Sequence, residues 1–306
     1  MCARLFRQGS MMWIFLALCI ASLFAQDDCD FLFKKIVNRA SVVDYQLNWD
    51  QAAKRIEDLP YKYPNDIQLS SMGKYDGEEL YRIDILGRGT GPKKKVVVIA
   101  GVHGNEAVGV SSSLEFIDRI IYQNEFRENF DFVIIPALNP GGLKANHRYL
   151  NNQSDLNRTF RNGREESPTR KLTQNLEGEN FDLALDLHEA YTREGFFVIK
   201  SVKDDRSLSR EVLKEIDDSY LITSSTGEYP SGIMGVKNPK VVAYELDGPG
   251  ESTSSNVGTV KSFFHKKGVR YSYTLESSGQ IELKERQAVY VKMMTTYLEK
   301  FLELGL

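Results

Sequence analysis

The sequence predicts an α/β protein with a mixed, mostly parallel central sheet and helices on both faces. Short continuous apolar runs at residues 96–100, 130–138 and 181–187 read as strands buried on both faces. Helix-period segments alternate with them, which is the pattern of a sheet covered on two sides. At 306 residues and 42% hydrophobic, the chain has the length for one large domain or two modest ones.

Residues 1–25 differ from the rest. Arg4 and Arg7 precede an apolar run over residues 11–24, and Ala25 precedes a polar stretch. This is the layout of a secretory signal peptide, and the run falls short of the about 20 apolar residues of a membrane span. Two arginines and no acid leave with it, so the net charge goes from −3 to −5. That balance offers no electrostatic footprint for nucleic acid. Only Cys29 of three cysteines then remains, which excludes an internal disulfide framework and a thiolate metal site. The chain divides into a signal peptide (1–25), a short helical appendage (26–65) and a catalytic domain (66–306), with no membrane span after signal cleavage.

Residues 30–60 are loosely amphipathic and helical, with a proline-bounded break at 61–64. Residues 67–87 alternate around Lys74-Tyr75-Asp76-Gly77, the pattern of an edge hairpin. A Gly- and Lys-rich loop leads into the strand at 96–100. Val108, Val110, Leu114, Ile117 and Ile121 make a helical stripe over 107–122. The strand at 130–138 closes on the turn Asn139-Pro140-Gly141-Gly142. Residues 142–179 form a long polar stretch, of the kind that is functional or disordered in a compact domain. Beyond the strand at 181–187, short strands are expected at 196–200, 241–246 and 269–276. Helices are expected at 208–219, 256–267 and 281–304, and a loop over the site at 223–240.

Chemistry concentrates where strands end, the edge at which open α/β sheets place ligands. His103 and Glu106 follow the first buried run, three residues apart, and read as two of the three protein ligands of a catalytic zinc. His188 ends another buried run and is the best third ligand, since His147 lies in the polar loop and His265 on a charged helix face. Arg148, Asn157 and Arg158 in the polar stretch suit a carboxylate clamp, because guanidinium donates two parallel hydrogen bonds to a carboxylate. A base must take the proton of the activated water. Glu276 and Glu245 both sit at strand ends and compete for that role.

These residues carry a resemblance to the zinc carboxypeptidases of the carboxypeptidase A type, in their wider bacterial branch with murein peptide amidases. Gly101-Val-His103-Gly-Asn-Glu106 is similar to the family's GxHxxE motif. Asn139-Pro-Gly-Gly142 resembles its NPDG turn, with Gly141 in place of Asp. Asp155-Leu-Asn157-Arg158-Thr-Phe160 resembles DLNRNF, Leu187-His188 the third-ligand strand, and Gly268 to Glu276 the strand of the catalytic glutamate. The likeness runs over about residues 66–305. It implies one zinc per chain on His103, Glu106 and His188, with Glu276 as general base and acid. Arg148 is implied to stabilise the oxyanion, Asn157 and Arg158 to bind the terminal carboxylate, and Asp155 to orient His103. The substrate-covering tyrosine has no clear counterpart. Tyr244 is the candidate.

The implied activity is secreted metallocarboxypeptidase action on the amide next to a terminal carboxylate of a peptide, such as a cell-wall peptide. Desuccinylases and aspartoacylases resemble the chain equally well at HGNE and DLNR, which makes an N-acyl amino acid deacylase the alternative. An inactive binding protein on the same fold is the second. Sequons at Asn152 and Asn157 favour a bacterial envelope over a eukaryotic secretory route, because a glycan on Asn157 would block the clamp. A secreted or periplasmic location is expected.

Overall fold

The computed structural model describes residues 47–160, 166–191, 195–200, 208–221 and 258–306. The expected signal peptide, residues 26–46 of the appendage, the loop at 223–240 and the strand at 241–246 lie outside the described residues.

The chain opens with α1 (Trp49–Lys62), then β1 (Ile67–Tyr75), β2 (Glu78–Ile85) and β3 (Lys94–Ile99). Helices α2 (Ala107–Ile121) and α3 (Asn124–Asn129) lead to β4 (Phe130–Ile135), α4 (Pro140–Lys144) and α5 (Pro168–Asn175). Then come β5 (Leu183–Ala190), β6 (Phe197–Lys200), α6 (Leu208–Lys214), α7 (Val260–Lys266), β7 (Tyr271–Ser278) and the closing α8 (Leu283–Glu303). The seven strands form one sheet in the order β1-β2-β4-β3-β5-β7-β6. The central four are parallel, and β1, β2 and β6 run antiparallel at the flanks.

The apolar run of β3 is continuous because the strand is covered on both faces. Val96 and Val98 point into a core built with α1, α2, α6 and α8, whereas Val97 and Ile99 point into a second core with α5 and α7. Period-two alternation therefore distributes one run over two cores. Asp76 and Gly77 both take positive φ, at 52° and 83°, in the two-residue turn joining β1 to β2.

Several boundaries differ from the sequence expectation. Helix α1 runs through Pro60 to Lys62, because a proline in the last turn removes only one late hydrogen bond. The strand expected at 130–138 ends at Ile135, where Leu138 and Asn139 bond back to Ala100 and Gly101. Strands β5 and β7 continue past the expected ends to Ala190 and Ser278, because each is a partner for the other. His188 and Glu276 thus lie inside paired strands. Among the described residues, no helix is long and apolar enough to cross a membrane.

Leu298 of α8 is fully buried and far along the helix from the strand ends. Leu298→Ala should destabilise the fold by about 2–5 kcal/mol, read from urea denaturation, while leaving metal binding intact.

Candidate metal centre and active-site cleft

The turn after β3 delivers His103 and Glu106 through two close backbone approaches. Gly101 has φ +59°, and a Cβ there would meet Val110 Cγ2 at 3.0 Å and the Ala137 backbone at 3.1 Å. At Gly104 a Cβ would stand 2.0 Å from the Gly142 carbonyl carbon. The HGNE turn is therefore pressed against the Asn139-Pro-Gly-Gly turn, and the contact leaves no room for a side chain at Gly104.

His103, Glu106 and His188 converge in the interior, each 2% exposed. His103 Nδ1 is 2.6 Å from Glu106 Oε1, His188 Nδ1 is 2.7 Å from Glu106 Oε2, and the two Nδ1 atoms are 3.1 Å apart. Among the described residues this is the group able to hold a metal, its ligand atoms all within 4.8 Å of one another. Two imidazoles and a carboxylate suit a divalent ion of the zinc class. Each imidazole presents its remaining nitrogen to a carboxylate. His103 Nε2 is 3.0 Å from Asp155 Oδ1, and His188 Nε2 is 3.1 Å from Asp186 Oδ2, which also accepts from Thr274 Oγ1 at 3.2 Å. Such partners fix ring orientation and raise ligand basicity.

Charge compensation explains the titration of the group. Burial alone would push Glu106 up, but the two imidazoles hold its carboxyl well below the usual range. Burial would lower His188, yet the charges of Asp186 and Glu106 keep its imidazolium well above the ordinary value. Asp155 is likewise pushed up by burial and held far lower by the His103 hydrogen bond and by the charges of His103, Arg148 and Arg158.

One cleft of about 290 Å³ exposes this centre together with Arg148, Asn157, Arg158, Lys261, Thr274 and Glu276. Glu276 pairs in register with His188 across β5 and β7. Burial first, and then the charges of Glu106 and Asp186, push its carboxyl up to about 8 against the opposing pull of His188 and Arg148. Arg148 donates to Glu106 Oε1 at 2.8 Å and to Asp155 Oδ2 at 3.4 Å. Asn157 is engaged at both ends of its amide: Oδ1 accepts from Val260 N at 3.0 Å, and Nδ2 lies 3.2 Å from His188 Nε2. Arg158 donates to the Asn157 carbonyl at 2.8 Å and otherwise faces the cleft.

Residues 92–296 match the succinylglutamate desuccinylase/aspartoacylase catalytic domain. The chain belongs to this family. No curated protein sequence gives a match. The fold is shared with a metallo-carboxypeptidase from Burkholderia cenocepacia, at 16% identity and TM-score 0.66, over 83% of this chain and 69% of that one. A Pseudomonas aeruginosa metallo-carboxypeptidase in complex with (2-guanidinoethylmercapto)succinic acid aligns at 16% identity and TM-score 0.61, over 83% and 68% of the two chains. Thrombin activatable fibrinolysis inhibitor aligns at 14% identity and TM-score 0.60, over 83% and 75%. This chain is a metallohydrolase of the desuccinylase/aspartoacylase family, with a buried His103–Glu106–His188 metal-binding triad.

The structure brings His103, Glu106, His188, Arg148, Asn157, Arg158 and Glu276 to one cleft. Tyr244 and Glu245 lie outside the described residues. Three contributors escaped the sequence reading. Asp186 stands two residues before His188 on the same strand face, so D-x-H in a strand was a usable signal. Glu189 accepts from Arg286 Nη1 at 2.7 Å and Val108 N at 3.0 Å, while its own N–H donates to Glu106 Oε2 at 3.0 Å. The buried hydroxyl of Tyr290 lies against the carbonyls of His188 and Leu275 and accepts from Ser277 N at 3.1 Å. It therefore brackets Glu276 on both sides.

Asp186→Asn should weaken metal affinity about 10–100-fold, measured by competition with a chromophoric chelator. His188→Ala should abolish stoichiometric binding, and full affinity in both variants would remove the triad from the metal site. Tyr290→Phe strands the Ser277 N–H, so it should cost about 1–3 kcal/mol of stability and lower kcat with little change in KM. An unaltered kcat would show that the bracket does not position Glu276.

Proposed function

We propose that this chain is a zinc-dependent amidohydrolase that releases an amino acid bearing a free carboxylate, acting as an exported carboxypeptidase on peptides. The observation that carries this reading is the single cleft in which Glu276 and two arginines face the metal-binding triad. A zinc ion on that triad supplies the Lewis acidity that activates water and polarises a carbonyl. The chain's own residues supply the rest. Arg158, facing the cleft, pairs with the substrate's carboxylate. Glu276 takes the proton of the attacking water and gives it to the leaving nitrogen; a carboxyl pushed up by burial is matched to both halves of that task. Arg148 stabilises the developing oxyanion. Asn157, committed to His188 and Val260, holds the metal ligand and the start of α7 in register.

A second reading is favoured by the family match: the acyl part is small, and the substrate is an N-acyl amino acid. The expected export signal supports the peptide, because metabolism of small N-acyl amino acids is usually intracellular. Both readings share the leaving side of the scissile bond.

Zinc-loaded protein offered tripeptides with varied C-termini and a panel of N-acetyl and N-succinyl amino acids separates them by the free amino acid released. Cleavage of N-acyl amino acids alone would establish the second reading, and no cleavage of either set would overturn both. Glu276→Gln should lower kcat about 10²–10⁴-fold with zinc retained. Near-normal turnover would transfer the role to Glu245. Arg148→Met should cost about 10²–10³-fold in kcat.

A further inference from the structure

Glu189 lines the cleft beside the triad, and both of its carboxylate oxygens are engaged. Oε2 accepts from Val108 N at 3.0 Å, and Oε1 accepts from Arg286 Nη1 at 2.7 Å. The Val108 contact stands in for a local helix cap. The first N–H groups of a helix have no partner within it, and Glu106, at the N-cap position of α2, gives them no side-chain hydrogen bond. Glu189 supplies an acceptor from the neighbouring strand, and its own N–H donates to Glu106 Oε2 at 3.0 Å. The exchange is reciprocal. The side chain of Glu106 meets the backbone of Glu189, and the side chain of Glu189 meets the backbone two residues after Glu106. This closed ring has little slack, because the first turn of α2 lies directly on β5. A Cβ on Gly109 would stand 3.0 Å from Leu187 Cβ and 3.2 Å from Leu187 O, one residue before His188.

Arg286 holds the outer end of the ring. It stands 97 residues from Glu189 in sequence, and the two side chains are 4% and 2% exposed. A buried ion pair is a costly way to join two elements, since apolar side chains of similar volume often join them as well. What this pair adds is electrostatic. It sets an anionic acceptor at a helix N-terminus, and it compensates that carboxylate one N–H away from the carboxylate of Glu106. Without Arg286, two carboxylates would share this interior uncompensated, and their repulsion would drive them apart. Gln287, the next residue of α8, donates to Ser111 Oγ at 2.8 Å and joins the same helix to α2 through a neutral contact.

We propose that Glu189 and Arg286 are positioning residues for the metal-binding triad: the pair fixes the Glu106 carboxylate in its place, so that metal affinity is set in part from α8, acting through Glu189.

The test is the zinc affinity of the full chain, measured by competition with a chromophoric chelator, together with the visible spectrum of the cobalt-loaded protein, which reads the ligand arrangement directly. Arg286→Met should weaken zinc binding about 10–100-fold and shift the cobalt bands. Glu189→Gln, which offers one oxygen where the carboxylate offers two, should do the same. Because both changes break one unit, the double variant should lose no more than about threefold beyond the weaker single variant. Arg286→Lys keeps the charge and should bind zinc more tightly than Arg286→Met. Gln287→Ala should lower the urea midpoint yet leave zinc affinity and the cobalt spectrum as in wild type. If Arg286→Met fails to fold, Glu189→Gln and Arg286→Lys carry the same comparison against wild type and Gln287→Ala. Wild-type affinity with an unshifted spectrum in the Arg286 and Glu189 variants would overturn the proposal and leave the pair a structural tie. So would losses that add in the double variant, an equal loss in Gln287→Ala, or wild-type protein that takes up neither metal.

Discussion

The cleft depends on one parallel pairing, that of β5 with β7. Residues opposite one another in adjacent strands project to the same face, about 4.8 Å apart. The register sets His188 against Glu276, so a residue of the metal-binding triad and the proposed proton carrier share one face by backbone geometry alone. A slip of one residue would send Glu276 to the opposite face. The Tyr290 hydroxyl of α8 spans both strands at that step, touching the His188 and Leu275 carbonyls and the Ser277 N–H. The closing helix thus does more than cover the sheet: it holds the register at the one place where register is chemistry.

Burial then sorts the carboxylates of this face into two kinds. All are pushed up by removal from water, and their neighbours decide which stay there. Glu106 and Asp155 have imidazole or guanidinium groups in contact and fall well below the usual range. Glu276, buried and beside Glu106 and Asp186, is pushed up to about 8. Glu189 stands between, pushed up to about 7 by burial despite the Val108 N–H and Arg286. Carboxyls driven apart in this way suit different tasks: the low ones stay anionic and hold a cation or its ligands, and the high one is matched to the proton exchange proposed for Glu276.

How much of this was legible depended on how local each cause was. The buried strands and the helix stripes were readable because apolar periodicity is a local property. His103 and Glu106 were readable as a pair because a fixed turn separates them, and His188 because few histidines compete with it. The extension of β5 and β7 past their expected ends was not, because each strand end is stabilised by the other across some 88 residues of sequence. Glu189 and Arg286, a buried pair 97 residues apart, read separately as ordinary surface charges on a strand and a helix. Asn157 was expected to bind the substrate carboxylate and lines the cleft, but nothing in the run DLNRTF announces that its amide oxygen accepts from the first N–H of a helix beginning at Val260.

That last contact links the start of α7 to the metal-binding triad. The amide oxygen of Asn157 accepts from the first N–H of α7, while its Nδ2 lies 3.2 Å from the Nε2 edge of the His188 ring, the edge that faces Asp186. A substitution at Asn157 removes the support of the helix start and the packing beside the His188 ring together, and so must disturb the wall of the cleft and the metal-binding triad at once.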